Sequence, residues 1–261
     1  VTILFDMELR AQRRDRAARL GPELFLFERT FEDCLERIAL VQRRFEKALL
    51  IGCPDPDWPK RVGRIVDEVA VLDPGALFAG AAGGKQVVED DWEPPAANCD
   101  LVVAIGTLDS VNDLPRALKS IRRSMQADAL LIGAMSGGDT LPQLRAAMRA
   151  ADQAMGEASA HVHPRIEASA LAPLLSAADF AMPVVDVDRV QVSYASLDRL
   201  VRDLRAMGAT NILSARSRRA LSRRAKAAAA QDFAAAGNGG LTLETFEILH
   251  FAAWTPSAHQ G

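Results

Sequence analysis

Five short apolar runs, each closed by turn residues, constrain this chain more than any other feature. They are ALLIGC (48–53), EVAVLDPG (68–75), KQVVEDD (85–91), CDLVVAIG (99–106) and DALLIGAMSGG (128–138). Their length suits strands rather than buried helices. Helical segments separate several of them, and strands alternating with helices build βαβ units whose parallel sheet is covered on both faces. Two later runs, DFAMPVVDVDRVQVSY (179–194) and LTLETFEILHFAAW (241–254), read as strands that finish the sheet. Upstream, residues 5–47 read as helical, with Leu35, Ile38, Ala39, Val41 and Phe45 on one stripe; residues 196–207 and 214–236 read as late helices. The expected fold is α/β: a Rossmann-like sheet, mostly parallel, with an antiparallel C-terminal edge pair and N-terminal helices. A single domain is expected over 1–261, with a helical extension (1–47), a cofactor-binding half (48–138) and a substrate or partner half (139–261).

Composition narrows the function classes. A net charge of −3 with 49% apolar residues fits an ordinary globular chain and argues against general affinity for nucleic acid or anionic membrane. Arginine and alanine dominate their classes, which fits a GC-rich bacterial genome. Cys34, Cys53 and Cys99 are widely spaced and form no C-x-x-C pair, so neither a disulfide framework nor a cysteine zinc site is expected. No apolar run approaches the roughly 20 residues that span a bilayer, and the N-terminus does not read as a secretory signal. The expected location is the cytoplasm, with peripheral association to a membrane complex compatible with it.

In an open parallel sheet, ligands bind beyond the carboxyl ends of the strands. That rule nominates Gly52 and Cys53, Asp73, the cluster Glu89, Asp90 and Asp91, and Gly106 with Thr107 as cofactor-binding residues. Asp73 is placed to take ribose hydroxyls, and the Glu89–Asp91 cluster to take an adenine amino group. Residues 48–110 carry four Lys/Arg against eleven Asp/Glu. So acidic a site disfavours a polyphosphate cofactor and suits a cationic one, such as the sulfonium S-adenosylmethionine. Asp113, Gly138, Asp139 and Arg145 are the candidates for substrate or partner contact. Asn112 or Asp113 also suits the cap of a helix begun by Pro115, and Thr140-x-x-Gln143 has capping-box spacing. His161 and His163 lie two apart with no third metal ligand evident nearby. Residues 211–231 hold six basic residues and no acidic one, and read as a solvated helix or a docking face for an acidic partner. No Ser-His-Asp or Cys-His arrangement stands out, so no catalytic residue is legible.

Three stretches, VNDLPRAL (111–118), IGAMSGGDTLPQLRAAM (132–148) and VQVSYASLDRLVRDLRAMGATN (190–211), carry a resemblance that runs over nearly the whole chain. It resembles the class I S-adenosylmethionine-dependent methyltransferases, in the branch of the complex I assembly factor that hydroxylates an arginine of a complex I subunit. More distantly it is similar to the malonyl-thioester methyltransferase of biotin synthesis. The resemblance implies S-adenosylmethionine as cofactor, with Asp73 as the ribose carboxylate and Glu89 or Asp90 at the adenine edge. It also implies an acidic residue and a glycine-rich turn after the first strand. Here Leu50 holds the acidic position, Gly52 keeps the first glycine, and Pro54 and Pro56 hold the later ones. Proline removes an N–H donor and fixes φ where glycine would allow close approach. Relatives commonly carry a His-Trp pair where this chain has Asp109 and Ser110, and they extend further beyond the last strand.

Three functions therefore stand open. The chain is an S-adenosylmethionine-dependent enzyme acting on a protein side chain, by methylation or hydroxylation, or an aid to complex assembly. Alternatively it is a non-catalytic scaffold that kept the fold and lost the cofactor. The third reading is a small-molecule or acyl-carrier methyltransferase.

Overall fold

The computed structural model describes residues 3–95 and 97–257. Seven strands form one sheet: β1 (Lys47–Ile51), β2 (Glu68–Asp73), β3 (Lys85–Gln86), β4 (Cys99–Ile105), β5 (Met125–Ser136), β6 (Ala181–Tyr194) and β7 (Thr242–Trp254). Their spatial order is β3-β2-β1-β4-β5-β7-β6. All neighbours from β3 to β5 run parallel, whereas β7 lies antiparallel to both β5 and β6. The α/β fold with an antiparallel C-terminal edge pair is thus present as expected.

The two-residue period of the strands divides the core. Leu49, Ile51, Val102, Ala104 and Leu131 face one side, where they meet α5 (Leu114–Ser124) and α7 (Ala168–Ala177). Leu50, Leu101, Val103, Leu130 and Ile132 face the other, under α2 (Phe25–Leu40) and α3 (Trp58–Val62). A third cluster joins α6 (Pro142–Met155), α8 (Leu197–Ala206) and α9 (Arg223–Ala235) to Phe246 of β7. Outside these layers α1 (Met7–Leu20) packs against α4 (Ala76–Ala81) and α8.

Local chemistry moves several predicted boundaries. The segment 5–47 holds two helices, broken where Gly21 takes φ 86° ahead of Pro22, and the second ends at Leu40, so Val41 and Phe45 lie beyond it. Gly21 and Pro22 both oppose helix continuation. The third predicted strand keeps only Lys85 and Gln86 in the sheet, because Glu89 and Asp90 turn inward to buried partners. The helix expected over 214–236 begins at Arg223, where the Ser222 hydroxyl accepts from the Ala225 amide. The preceding Arg/Ser run has no apolar stripe to pack. Asp113, rather than Asn112, caps α5 by accepting from the Arg116 amide at 2.9 Å. The capping box at Thr140 does not form. Its hydroxyl is engaged with the Glu247 backbone, and the first free amides of α6, Gln143 and Leu144, donate to Glu244 of β7 instead.

Candidate functional site

The carboxyl ends of β1, β2 and β4 converge on a cleft over which α1 lies. Asp73, the last residue of β2, is fully buried. Its Oδ1 accepts from Arg14 Nε at 2.8 Å and from the Gly75 amide at 2.7 Å; its Oδ2 accepts from Arg14 Nη2 at 2.5 Å and from the Cys53 amide at 2.8 Å. A carboxylate offers about four acceptor sites, so Asp73 is saturated. Burial pulls the Arg14 guanidinium down, but the Asp73 charge and hydrogen bonds outweigh it and hold the pKa above its ordinary value. Glu89 is met the same way, by Arg10 Nη1 at 2.6 Å and Nη2 at 2.9 Å. Arg10 reaches further, to the Thr107 carbonyl at 2.6 Å and the Ser110 hydroxyl at 3.0 Å. A third buried pair, Arg165 with Asp109, closes the ring after β4. Arg10 and Arg14 stand four apart on α1, and that spacing alone puts both on one helix face.

The turn after β1 is equally committed. Gly52 takes φ 83°, and a Cβ there would collide with the Ile105 carbonyl and the Thr107 methyl. Glycine is therefore required by strand packing alone. The Cys53 amide is spent on Asp73, and Pro54 and Pro56 bring no N–H. Just beyond them Trp58 stacks on Phe31, with centroids 4.2 Å apart and planes 8° from parallel, and its indole N–H donates to Glu28 at 2.9 Å. Gly106, at φ 64°, lies under the Phe27 ring of α2, 2.6 Å from where a Cβ would stand.

The remaining nominated residues separate. Asp90 accepts from the amides of Asn112 and Asp113 at 2.7 and 2.9 Å, so it shapes the start of α5. Asp91 points to solvent beside Arg116. Thr107 is buried, and its hydroxyl has no partner among the described residues. Gly138 abuts Glu167, and Asp139 pairs at the surface with Arg189. Among the described residues Arg145 donates only to carbonyls, those of Thr140, Gly138 and His163, at 3.3–3.4 Å. His161 and His163 do not converge: the first pairs with Asp152 at 2.7 Å, and Nε2 of the second accepts from the Ile212 amide at 3.0 Å.

Inside the ring of ion pairs remains a cavity of about 100 Å³, walled by apolar groups such as Phe27, Met135, Met207 and Phe246 together with Arg10 and Arg165. Burial, followed by the charges of Asp73 and Asp55, pushes the Cys53 thiol up to about 12. Burial, followed by Arg165, pulls His163 down to about 4. Neither group is poised for proton transfer or nucleophilic attack near neutrality. S-adenosylmethionine would need free acceptors at Asp73 and Glu89, and amide donors in the turn after β1. With α1 in place Asp73 is saturated, both oxygens of Glu89 face Arg10, and Cys53, Pro54 and Pro56 offer no free amide, so the residues do not fit the cofactor in this arrangement. Sequence reasoning found the carboxylates but missed Arg10, Arg14 and Arg165. The one signal was the i, i+4 arginine spacing in a helix otherwise readable as solvated.

Comparison with known proteins agrees with the fold. The family model described as a methyltransferase domain matches residues 15–183. Arginine-hydroxylase NDUFAF5, mitochondrial, of Rattus norvegicus is 32% identical over 270 residues, covering 96% of this chain and 77% of its own length. The malonyl-[acyl-carrier protein] O-methyltransferase of Laribacter hongkongensis is 31% identical over 163 residues, 62% of this chain and 53% of its own. Among solved structures, a putative methyltransferase from Bacillus halodurans superposes with a TM-score of 0.59 at 9% identity, over 86% of this chain and 98% of the other. Strand order, family match and similarity to the rat protein over 96% of this chain coincide: this chain belongs to the methyltransferase-domain family.

Proposed function

We propose that this chain works by binding a protein partner, as an aid to assembly of a respiratory complex, with its cofactor cleft held shut by its own helix α1. The observation that carries this reading is the pairing of Arg14 with Asp73 and Arg10 with Glu89, which saturates the first carboxylate and sets a guanidinium against both oxygens of the second. Pro54 and Pro56 support it from the opposite wall. Breaking either buried pair to admit a ligand costs about 3–5 kcal/mol before any contact is gained.

Isothermal titration of the whole chain with S-adenosylmethionine and S-adenosylhomocysteine tests this. The expected result is no saturable heat up to millimolar ligand. Micromolar binding that Asp73→Ala abolishes overturns it.

A second reading, S-adenosylmethionine-dependent modification of a protein side chain, is favoured by the 32% identity over 96% of the chain with a protein named arginine hydroxylase. It requires α1 to withdraw both arginines, and the same titration separates the two.

A further inference from the structure

A groove of about 520 Å³ lies between α6, α8 and α9, floored by apolar side chains that include Leu144, Met148, Leu197 and Val201. It shares Leu141, His163, Arg165, Leu204 and Ala209 with the cleft cavity, so the two lie against the same wall. Arg205 and Lys226 stand on its rim, and Asp198 at the start of α8 is the one carboxylate in its lining among the described residues.

Beside this rim the outer face of α1 adds more cations. The helix runs along the end of α8 and the loop that follows. Arg16 donates to Thr210 Oγ1 at 2.9 Å, the Glu23 amide to the Ala206 carbonyl at 3.2 Å, and the Asp6 amide to the Ile212 carbonyl at 2.8 Å. Arg13, Arg16, Arg205 and Arg216 thus form a ridge. Of the four, only Arg216 has a carboxylate partner among the described residues, Asp6 at 3.1 Å. The Nε atoms of Arg13 and Arg16 are buried with no acceptor. Burial first, then the neighbouring arginine charges, hold both guanidiniums below their ordinary pKa. Like charges gathered without a counter-charge are a binding surface for one. The groove lining holds no Phe, Tyr or Trp on which a nucleobase could stack, and a purely apolar helix offers nothing to the ridge.

We infer that the groove and ridge together receive an acidic, amphipathic segment of a partner protein, its apolar side chains in the groove and its carboxylates on Arg13, Arg16 and Arg205. This rests on the partner-binding reading above and names the chemistry of that partner. Helix-in-groove recognition supplies the apolar contacts, and the charges supply orientation and rate.

Fluorescence anisotropy on the full chain tests it with three labelled synthetic probes. One repeats Glu-Leu-Leu-Glu, one keeps the leucines but carries Lys for Glu, and one is polyglutamate. The expected result is saturable binding of the first, weakened at least about tenfold for the other two and by added salt. Arg16→Glu with Arg205→Glu should weaken the first probe about tenfold, and Val201→Asp on the groove floor should do so independently. Equal binding of the lysine probe or of polyglutamate, or a first probe indifferent to both variants, overturns the inference. S-adenosylmethionine titrated into the same samples keeps the two readings apart. A chain that binds cofactor and peptide refutes only the shut cleft; one that binds neither refutes only the groove.

Discussion

The two faces of α1 carry the same residue type into opposite circumstances. Arg10 and Arg14 turn inward, are almost fully buried, and each meets a carboxylate at the end of a strand. Arg13 and Arg16 turn outward beside Arg205 and Arg216, half-buried and without a carboxylate of their own among the described residues. Helix geometry makes this split: at 3.6 residues per turn Arg10 and Arg14 lie about 40° apart around the axis, Arg16 lies about 120–160° from them, and Arg13 stands at the border on the side of Arg16. What it teaches is that an arginine's contribution is set by where its counter-charge sits. The inner pair locks the helix down, and the outer pair leaves an unanswered charge.

The sharpest way to break this comparison is Arg14→Ala. It strands a fully buried Asp73 with only two backbone amides, and the loss should be about 3–5 kcal/mol in urea unfolding. Adding Asp73→Asn should recover a good part, because the damage is the unpaired charge. A loss below about 1 kcal/mol would mean the inner face is no lock.

Acid tests the same enclosed region. His163, beside Arg165, is pushed from 6.5 down to about 4, chiefly by burial. Between those values the unfolded chain binds a proton that the folded chain refuses. Its contribution is therefore complete above pH 6.5 and is lost as pH falls toward 4, amounting to about 3 kcal/mol. Stability measured across that window should fall less steeply in His163→Gln by a similar amount. An unchanged slope would place the imidazole in contact with water.

Much of this is legible in the sequence alone. The apolar runs ending in Gly52, Asp73 and Gly106 mark strands because they are too short for buried helices, are closed by turn residues and alternate with helical segments. The rule that ligands gather at strand ends then located the carboxylates. Their partners were not legible, since Arg10 and Glu89 are 79 residues apart and Arg14 and Asp73 are 59 apart. A charged helix gives no periodic signal for which charges go inward. The start of α6 failed for a related reason: its amides are capped from β7 by Glu244, a partner about a hundred residues distant.

Gly75→Ala sharpens the comparison at intermediate cost. A Cβ there would lie 2.8 Å from Arg14 Cβ and 3.2 Å from Asp15 Oδ1, so α1 must shift for the methyl to fit. The expected penalty is about 1–3 kcal/mol in the same urea titration. A neutral result would show that α1 sits less tightly on the turn after β2 than its ion pairs require.

The smallest effect belongs to the outer face, and it decides whether the two faces differ in kind. Arg16→Ala removes one hydrogen bond to Thr210 and one charge from a cluster that holds Arg13 and Arg205. The lost bond and the relieved repulsion oppose each other at a partly exposed site, so stability should stay within about 0.5 kcal/mol of the parent. Rising salt should move the parent toward the variant, because screening weakens repulsion between exposed charges. A loss approaching that of Arg14→Ala would mean the ridge is structural, and its arginines would then have no charge to spare for a partner.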